Sequence, residues 1–121
     1  MSALIAIPLC AVAKPSEPEN FKQTFVFISL SMPEASLKAL YQEAEQQGAV
    51  LVLRGLKDNS ITQTADALKT LGIGVQIDPT LFKKYAIQSV PTFLRTHGSE
   101  HDSISGNISL AYALQRFEED I

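Results

Sequence analysis

Few side chains in this sequence could carry chemistry, and none stands beside the sequence neighbours that chemistry needs. A hydroxyl becomes a nucleophile only next to a base. Ser31 and Ser36, at the two ends of the turn Ser31-Met32-Pro33-Glu34-Ala35-Ser36, have no His or Lys adjacent to them. A zinc site needs three or four converging ligands. His97 and His101 flank a polar stretch with no third ligand nearby, so they read as exposed turn residues, and no metal or cofactor is expected. Gly72-Ile73-Gly74 lacks the rest of any phosphate-binding fingerprint. Arg54-Gly55 ends a buried-strand pattern, which puts it at the carboxyl edge of a sheet, where α/β folds commonly bind ligands. A loop Arg paired with Asp58 or with solvent is the plainer reading. Cys10 is the single cysteine, so the chain can form neither an internal disulfide nor a dithiol redox centre.

The elements that must position these residues follow from periodicity. Thr24 to Leu30 is an apolar run suited to a central strand with both faces covered. It passes straight into a helical pattern: Leu37, Leu40, Tyr41 and Ala44 repeat at helical spacing until Gly48. The Ser31-x-x-Glu34 pairing predicts a capping box at the start of that helix, with Pro33 tolerated in its first turn. Ala49 to Leu53 is a second buried strand, so the first three elements form a βαβ unit with parallel strands and a right-handed crossover. Ser60 and Gln63 predict the cap of a further helix carrying Ile61, Ala65, Leu68 and Leu71 on one side, closed by Gly72. Gly74 to Ile77 is briefly extended. Asp78-Pro79 starts a short helix with Leu81, Phe82 and Tyr85 turned inward. Val90 to Arg95 and Asp102 to Ser105, separated by His97-Gly98-Ser99-Glu100, read as a β-hairpin. The last helix carries Leu110, Leu114, Phe117 and Ile121 on one stripe.

Length and charge bound the rest. A chain of 121 residues suits one domain. The formal charge of -3 is spread without a basic block, so no nucleic-acid surface is expected. Ala3 to Ala13 is apolar but too short to span a bilayer as a helix. Ala11-Val12-Ala13 fits the small-residue rule for signal peptidase, so residues 1–13 are expected to be a signal peptide, with an N-terminal strand or helix packed on the domain as the alternative. The Pro- and Glu-rich residues 14–23 read as a linker, leaving 24–121 as the domain. Removal of residues 1–13 would leave a mature chain without cysteine, compatible with an oxidising periplasm.

The order strand, helix, strand, helix, short helix, strand, strand, helix is that of the thioredoxin architecture: α/β, with a central mixed sheet flanked by helices. The run IDPTLFKKYAIQSVPTFL resembles the thioredoxin-type passage in which a short helix and an apolar Ile lead to a Val-Pro-Thr-Phe strand. That proline is cis in the family, so the resemblance implies a cis Val90–Pro91 bond, which an X–Pro peptide adopts at a cost of about 0.5–1 kcal/mol. Active relatives present Cys-x-x-Cys in the turn after the central strand. Here Pro33-Glu34-Ala35-Ser36 stands in its place.

Taken together, SMPEASL, LVLRGL and VQIDPTLF resemble the TrbC family of pilin assembly proteins from F-type conjugative transfer systems, over about residues 24 to 117. The resemblance implies a protein exported to the periplasm that assists assembly of the conjugative pilus, a type IV secretion apparatus, beside other transfer proteins such as TraW. The implied role is non-enzymatic and works through protein contacts. Alternatives are a thiol-disulfide isomerase or chaperone acting with a partner's cysteine, and a passive structural subunit. Thioredoxin-like proteins hold extended peptides against the backbone of the residue before the cis-proline. The resemblance therefore implies a partner-binding set of Ser31, Met32, Pro33, Glu34 and Ser36 facing Val90 and Pro91, with Met32 either offered to the partner or packed as a hydrophobic staple.

Overall fold

Val26, Phe27 and Ile28 are each at most 1 % exposed, which consecutive strand residues achieve only when both faces of the sheet are covered. They lie in β1 (Lys22–Ile28), the middle strand of a five-stranded sheet. The computed structural model describes residues 22–119. The expected signal peptide 1–13, Cys10, residues 14–21 of the expected linker, and Ile121 lie outside the described residues. The linker was expected to run to 23, but Lys22 and Gln23 already belong to β1, because they pair with His97 and Thr96.

The chain continues through α1 (Glu34–Gln47), β2 (Val50–Leu53), a 3-10 turn at Lys57–Asn59, α2 (Ile61–Leu71) and β3 (Gln76–Ile77). It ends with α3 (Pro79–Lys84), β4 (Thr92–His97), β5 (Glu100–Ser105) and α4 (Leu110–Glu119). The sheet order is β3-β2-β1-β4-β5. β1, β2 and β3 run parallel, while β4 is antiparallel to both β1 and β5. Because strand side chains alternate between faces, β1 feeds two cores. Val26 and Ile28 join Leu37 and Leu40 of α1 and Leu110, Ala113 and Phe117 of α4. Phe27 joins Val52, Leu94, Ile87 and Phe82 of α3 on the other face. There the Phe27 and Phe82 rings meet edge-on, 4.9 Å between centroids.

Helix ends follow local rules in most places. Gly48 and Gly72 sit at φ 73° and 72°, the left-handed conformation that ends α1 and α2 and that glycine adopts at least cost. The Gln63 N–H donates to Ser60 Oγ at 3.0 Å, and the Leu81 N–H donates to Asp78 Oδ1 at 3.1 Å. The capping box expected at Ser31 and Glu34 does not form. The N-cap of α1 is Pro33, without a side-chain hydrogen bond. Proline disfavours helical geometry in the residue before it, so Met32 cannot enter the helix, and Ser31 is left two positions short of the cap. Its hydroxyl pairs instead with Ser29 Oγ at 2.8 Å, and its N–H donates to the same atom at 3.1 Å.

On α2, Ile61 was expected to face inward but is 74 % exposed. The buried residue is Thr64, and Ala67, Leu68 and Leu71 share its stripe as half-buried neighbours. The 3-10 turn closes onto Thr64 and leaves Ile61 outside. On α3, Phe82 is buried while Leu81 and Tyr85 are half-buried, Tyr85 packing edge-on against His101. The hairpin forms with a tighter turn than expected, Gly98-Ser99, and longer strands. Among the described residues no helix is long and apolar enough to cross a membrane.

Candidate functional site

β1 and β2 both end at the same edge of the sheet, and the chain leaving each strand forms one wall of a cavity of about 380 Å³. Ile28 to Ser31 make one wall and Leu53 to Lys57 the other. Ile28, Ser29 and Arg54 also line a second cavity of about 210 Å³, whose far side is Phe82 and the segment Ile87 to Val90. The shared residues make the two cavities one trough across the carboxyl end of β1.

The segment that brings Val90 and Pro91 to this trough is pinned at several points. The Ile87 N–H donates to Phe82 O at 2.9 Å. Thr92 Oγ1 donates to Ser89 O at 2.6 Å and pairs with Ser105 Oγ at 2.8 Å. The Gly106 N–H donates to Pro91 O at 3.1 Å. From the end of β2, Arg54 Nη2 donates to Ile87 O at 3.0 Å, and its guanidinium lies 5.0 Å from the centre of the Phe82 ring. Of the expected partners, Asp58 does not pair with Arg54; the side chain is exposed to solvent and also reaches a backbone carbonyl 33 positions away in sequence. The Val90–Pro91 peptide bond is cis. Among the described residues Val90 makes no main-chain hydrogen bond. Its N–H and C=O therefore remain free for another chain.

The structure separates the expected binding residues. Ser31 lines the larger part of the trough and Val90 the smaller, with Ser29 and Arg54 between them. Pro91 is buried and lies opposite the end of β1, next to Thr92, which pairs with Phe27. Met32 is half-buried and packs against the main core, so it behaves as the staple rather than as a free contact. Glu34 turns away from the trough into a third cavity between α1 and α2, beside Lys57 and Gln63. Pro33 is exposed and Ser36 half-buried, and neither lines the trough.

Ser29, Lys57 and the Ile87–Ser89 segment were not singled out from the sequence. Ser29 could have been found as the last residue before the turn. The others are near the site only because of tertiary contacts. Lys57 is held by its own N–H, which donates to Thr64 Oγ1 at 2.7 Å, while that hydroxyl donates to Ser60 O at 2.7 Å. Among the described residues no three His, Cys, Asp or Glu side chains gather where a metal ion could be held. His97 instead pairs with Asp102 at 3.1 Å across the hairpin.

This is a thioredoxin-like domain in which the turn between the central strand and its helix offers hydroxyls and a carboxylate, and the opposite wall offers an unpaired main chain and a fixed arginine. Solved structures agree on the fold. DsbF of MTB, in mixed oxidized and reduced forms, superposes with a TM-score of 0.60 at 15 % identity, covering 83 % of this chain and 81 % of that one. StoA from Bacillus subtilis gives 0.56 at 18 % identity, covering 84 % of each. The chain belongs to the family of type-F conjugative transfer system pilin assembly proteins, TrbC, whose model matches residues 26–117. The periplasmic protein TrbC of Escherichia coli (strain K12) is 38 % identical over 95 residues. That match covers 74 % of this chain and 45 % of the relative, so this chain spans less than half the relative's length.

Proposed function

We propose that this chain works in the periplasm as a non-enzymatic assembly factor for the F-type conjugative pilus, holding an extended segment of another assembly protein in the trough at the carboxyl end of β1. Family membership supports the pathway, and the name of the Escherichia coli relative supports the compartment. The observation that carries the docking reading is the unpaired main chain of Val90, set on one wall of a trough whose other wall is Ser29 to Ser31. An extended peptide can add to such an edge, its backbone hydrogen bonds supplying affinity and the cavities on either side supplying selectivity. The partner is another periplasmic transfer protein, TraW-like proteins among them. The turn retained from the thioredoxin plan serves as a contact surface, with no covalent step. Residues 1–13 act as the export signal, and the intact mass of the periplasmic protein should correspond to cleavage after Ala13.

The experiment is to fill the trough from each wall. Ser31→Trp and Ser89→Trp place a bulky side chain at exposed positions without touching the core. Both variants should fold by circular dichroism, lose cross-linking to the other pilus assembly proteins in donor cells, and reduce mating. Wild-type cross-linking and mating from both well-folded variants would move the functional surface elsewhere.

A further inference from the structure

The trough carries two cations, Arg54 and Lys57, and they differ in their acidic neighbours. The ion pairs formed among the described residues are Arg95–Glu118, His97–Asp102 and Arg116–Glu119, and neither Arg54 nor Lys57 takes part in one. No Asp or Glu lines either part of the trough. The polar groups there are Arg54, Lys57, the hydroxyls of Ser29, Ser31 and Ser89, and the Gln88 amide. Lys57 also lines the adjoining cavity with Glu34 and Asp66, so Arg54 is the cation of the trough that shares neither of its cavities with an acid.

The Arg54 side chain is held in place, whereas Lys57 is fixed through its backbone. Arg54 is oriented by the Ile87 carbonyl and the Phe82 ring, which occupy one N–H and one face and leave its other N–H groups for a second acceptor. Lys57 sits in a turn closed by the Thr64 hydroxyl and followed by Asp58 and Asn59 at φ 50° and 57°. The Arg54 guanidinium, already oriented, loses less conformational freedom when it takes a ligand.

We infer that the trough selects a segment bearing an acidic side chain, Asp or Glu, received by Arg54 while the segment's backbone runs along Val90. This rests on the docking reading above and adds the chemistry of the docked segment. Val90 and Arg54 line the same cavity, and Lys57 lines the one that continues it. Side chains of an extended peptide alternate, and its backbone advances about 3.3 Å per residue. A chain paired at Val90 therefore presents a side chain to Arg54 and passes on toward Lys57. The carboxylate belongs to a side chain rather than a chain terminus, because the trough continues on both sides of Arg54.

The test uses pools of short peptides, acetylated and amidated so that neither end is charged, with Asp or Glu, or Asn or Gln, fixed at the central position. Acidic pools should be retained over amide pools, with affinity falling as salt is raised. Arg54→Gln, checked for folding, should bind the retained peptides about tenfold more weakly, the size of one charge-assisted contact. Lys57→Gln, at a position that shares its second cavity with Glu34 and Asp66, should weaken them less than Arg54→Gln does. Retention of amide and acidic pools alike overturns the inference and leaves the docking reading intact. Undiminished binding of acidic peptides by Arg54→Gln overturns it, as does binding only of peptides with a free carboxyl terminus. Failure of every pool to bind also overturns it, and the mating phenotype of Ser31→Trp and Ser89→Trp then decides the docking reading independently.

Discussion

The Thr64 hydroxyl ties the turn that carries Lys57 to helix α2, and Thr64→Val tests how much that tie contributes. Thr64 is only 2 % exposed, and its Oγ1 both accepts from the Lys57 N–H and donates to Ser60 O, each at 2.7 Å. Valine keeps the shape and puts a methyl where the hydroxyl was. Ser60 O remains satisfied, since it also accepts the Thr64 N–H at 3.1 Å. The Lys57 N–H loses its partner in a part-buried bond at an exposed residue, which costs the net worth of a hydrogen bond, about 0.5–1.5 kcal/mol. Valine and threonine have similar helix propensities, so the backbone term nearly cancels. The net expectation is a loss of about 0.5–1.5 kcal/mol, read as a lower urea midpoint at unchanged slope. In a domain of this size each kcal/mol should lower the melting temperature by about 4–8 °C. Amide hydrogen exchange separates this cause from ordinary repacking: Thr64→Val should speed exchange at Lys57, whereas Thr64→Ser, which keeps the hydroxyl and gives up a methyl, should not. An unchanged midpoint together with unchanged exchange at Lys57 would refute the reasoning.

Two further expectations concern stability. Ser60→Ala removes an observed cap and should cost about 0.5–2 kcal/mol in chemical denaturation, whereas Ser31→Ala, which caps nothing, should cost less than Ser60→Ala; equal losses would put the start of α1 at Ser31 after all. The Glu118 carboxyl is held below its ordinary range by its hydrogen bond to Arg95 and then by the charges of Arg95 and Lys22. A lowered folded value means that the contribution is present above the unfolded value and disappears as pH falls through the folded one. Wild type should therefore exceed Glu118→Gln in stability near neutral pH and lose that advantage in acid, by a margin that shrinks with salt because the carboxylate is exposed. A difference that persists unchanged in acid would assign the effect to packing.

Much of this fold is written in short-range sequence. The consecutive burial of Val26, Phe27 and Ile28 follows from an unbroken apolar run, and Gly48, Gly72, Ser60 and Asp78 mark helix ends because the groups they satisfy lie within a few residues of them. The same local logic misled at Ser31, where a Ser-x-x-Glu spacing was outweighed by the restriction that Pro33 places on Met32. It also misplaced the inner stripe of α2, because Ile61 is apolar while the buried position belongs to Thr64, whose hydroxyl has work to do on a turn that the pattern does not reveal.

The trough is of the other kind. Arg54 reaches Ile87 across 33 positions, and the Glu43 carboxylate of α1 accepts the Leu110 N–H at the start of α4 across 67. Neither partner can be chosen from spacing, since both depend on the register that sets Phe27 against Thr92 and Val52 and so brings the Val90 segment beside the ends of β1 and β2. Sequence alone thus determined the order of the main elements, the glycine and Ser or Asp ends of several helices and the absence of cysteine from residues 24 to 121. The tertiary structure decided which carbonyl fixes Arg54, which main chain stays unpaired and which cation faces no acid in the trough. Apolar periodicity and caps act over a turn or a strand, whereas a binding edge exists only after distant strands have paired.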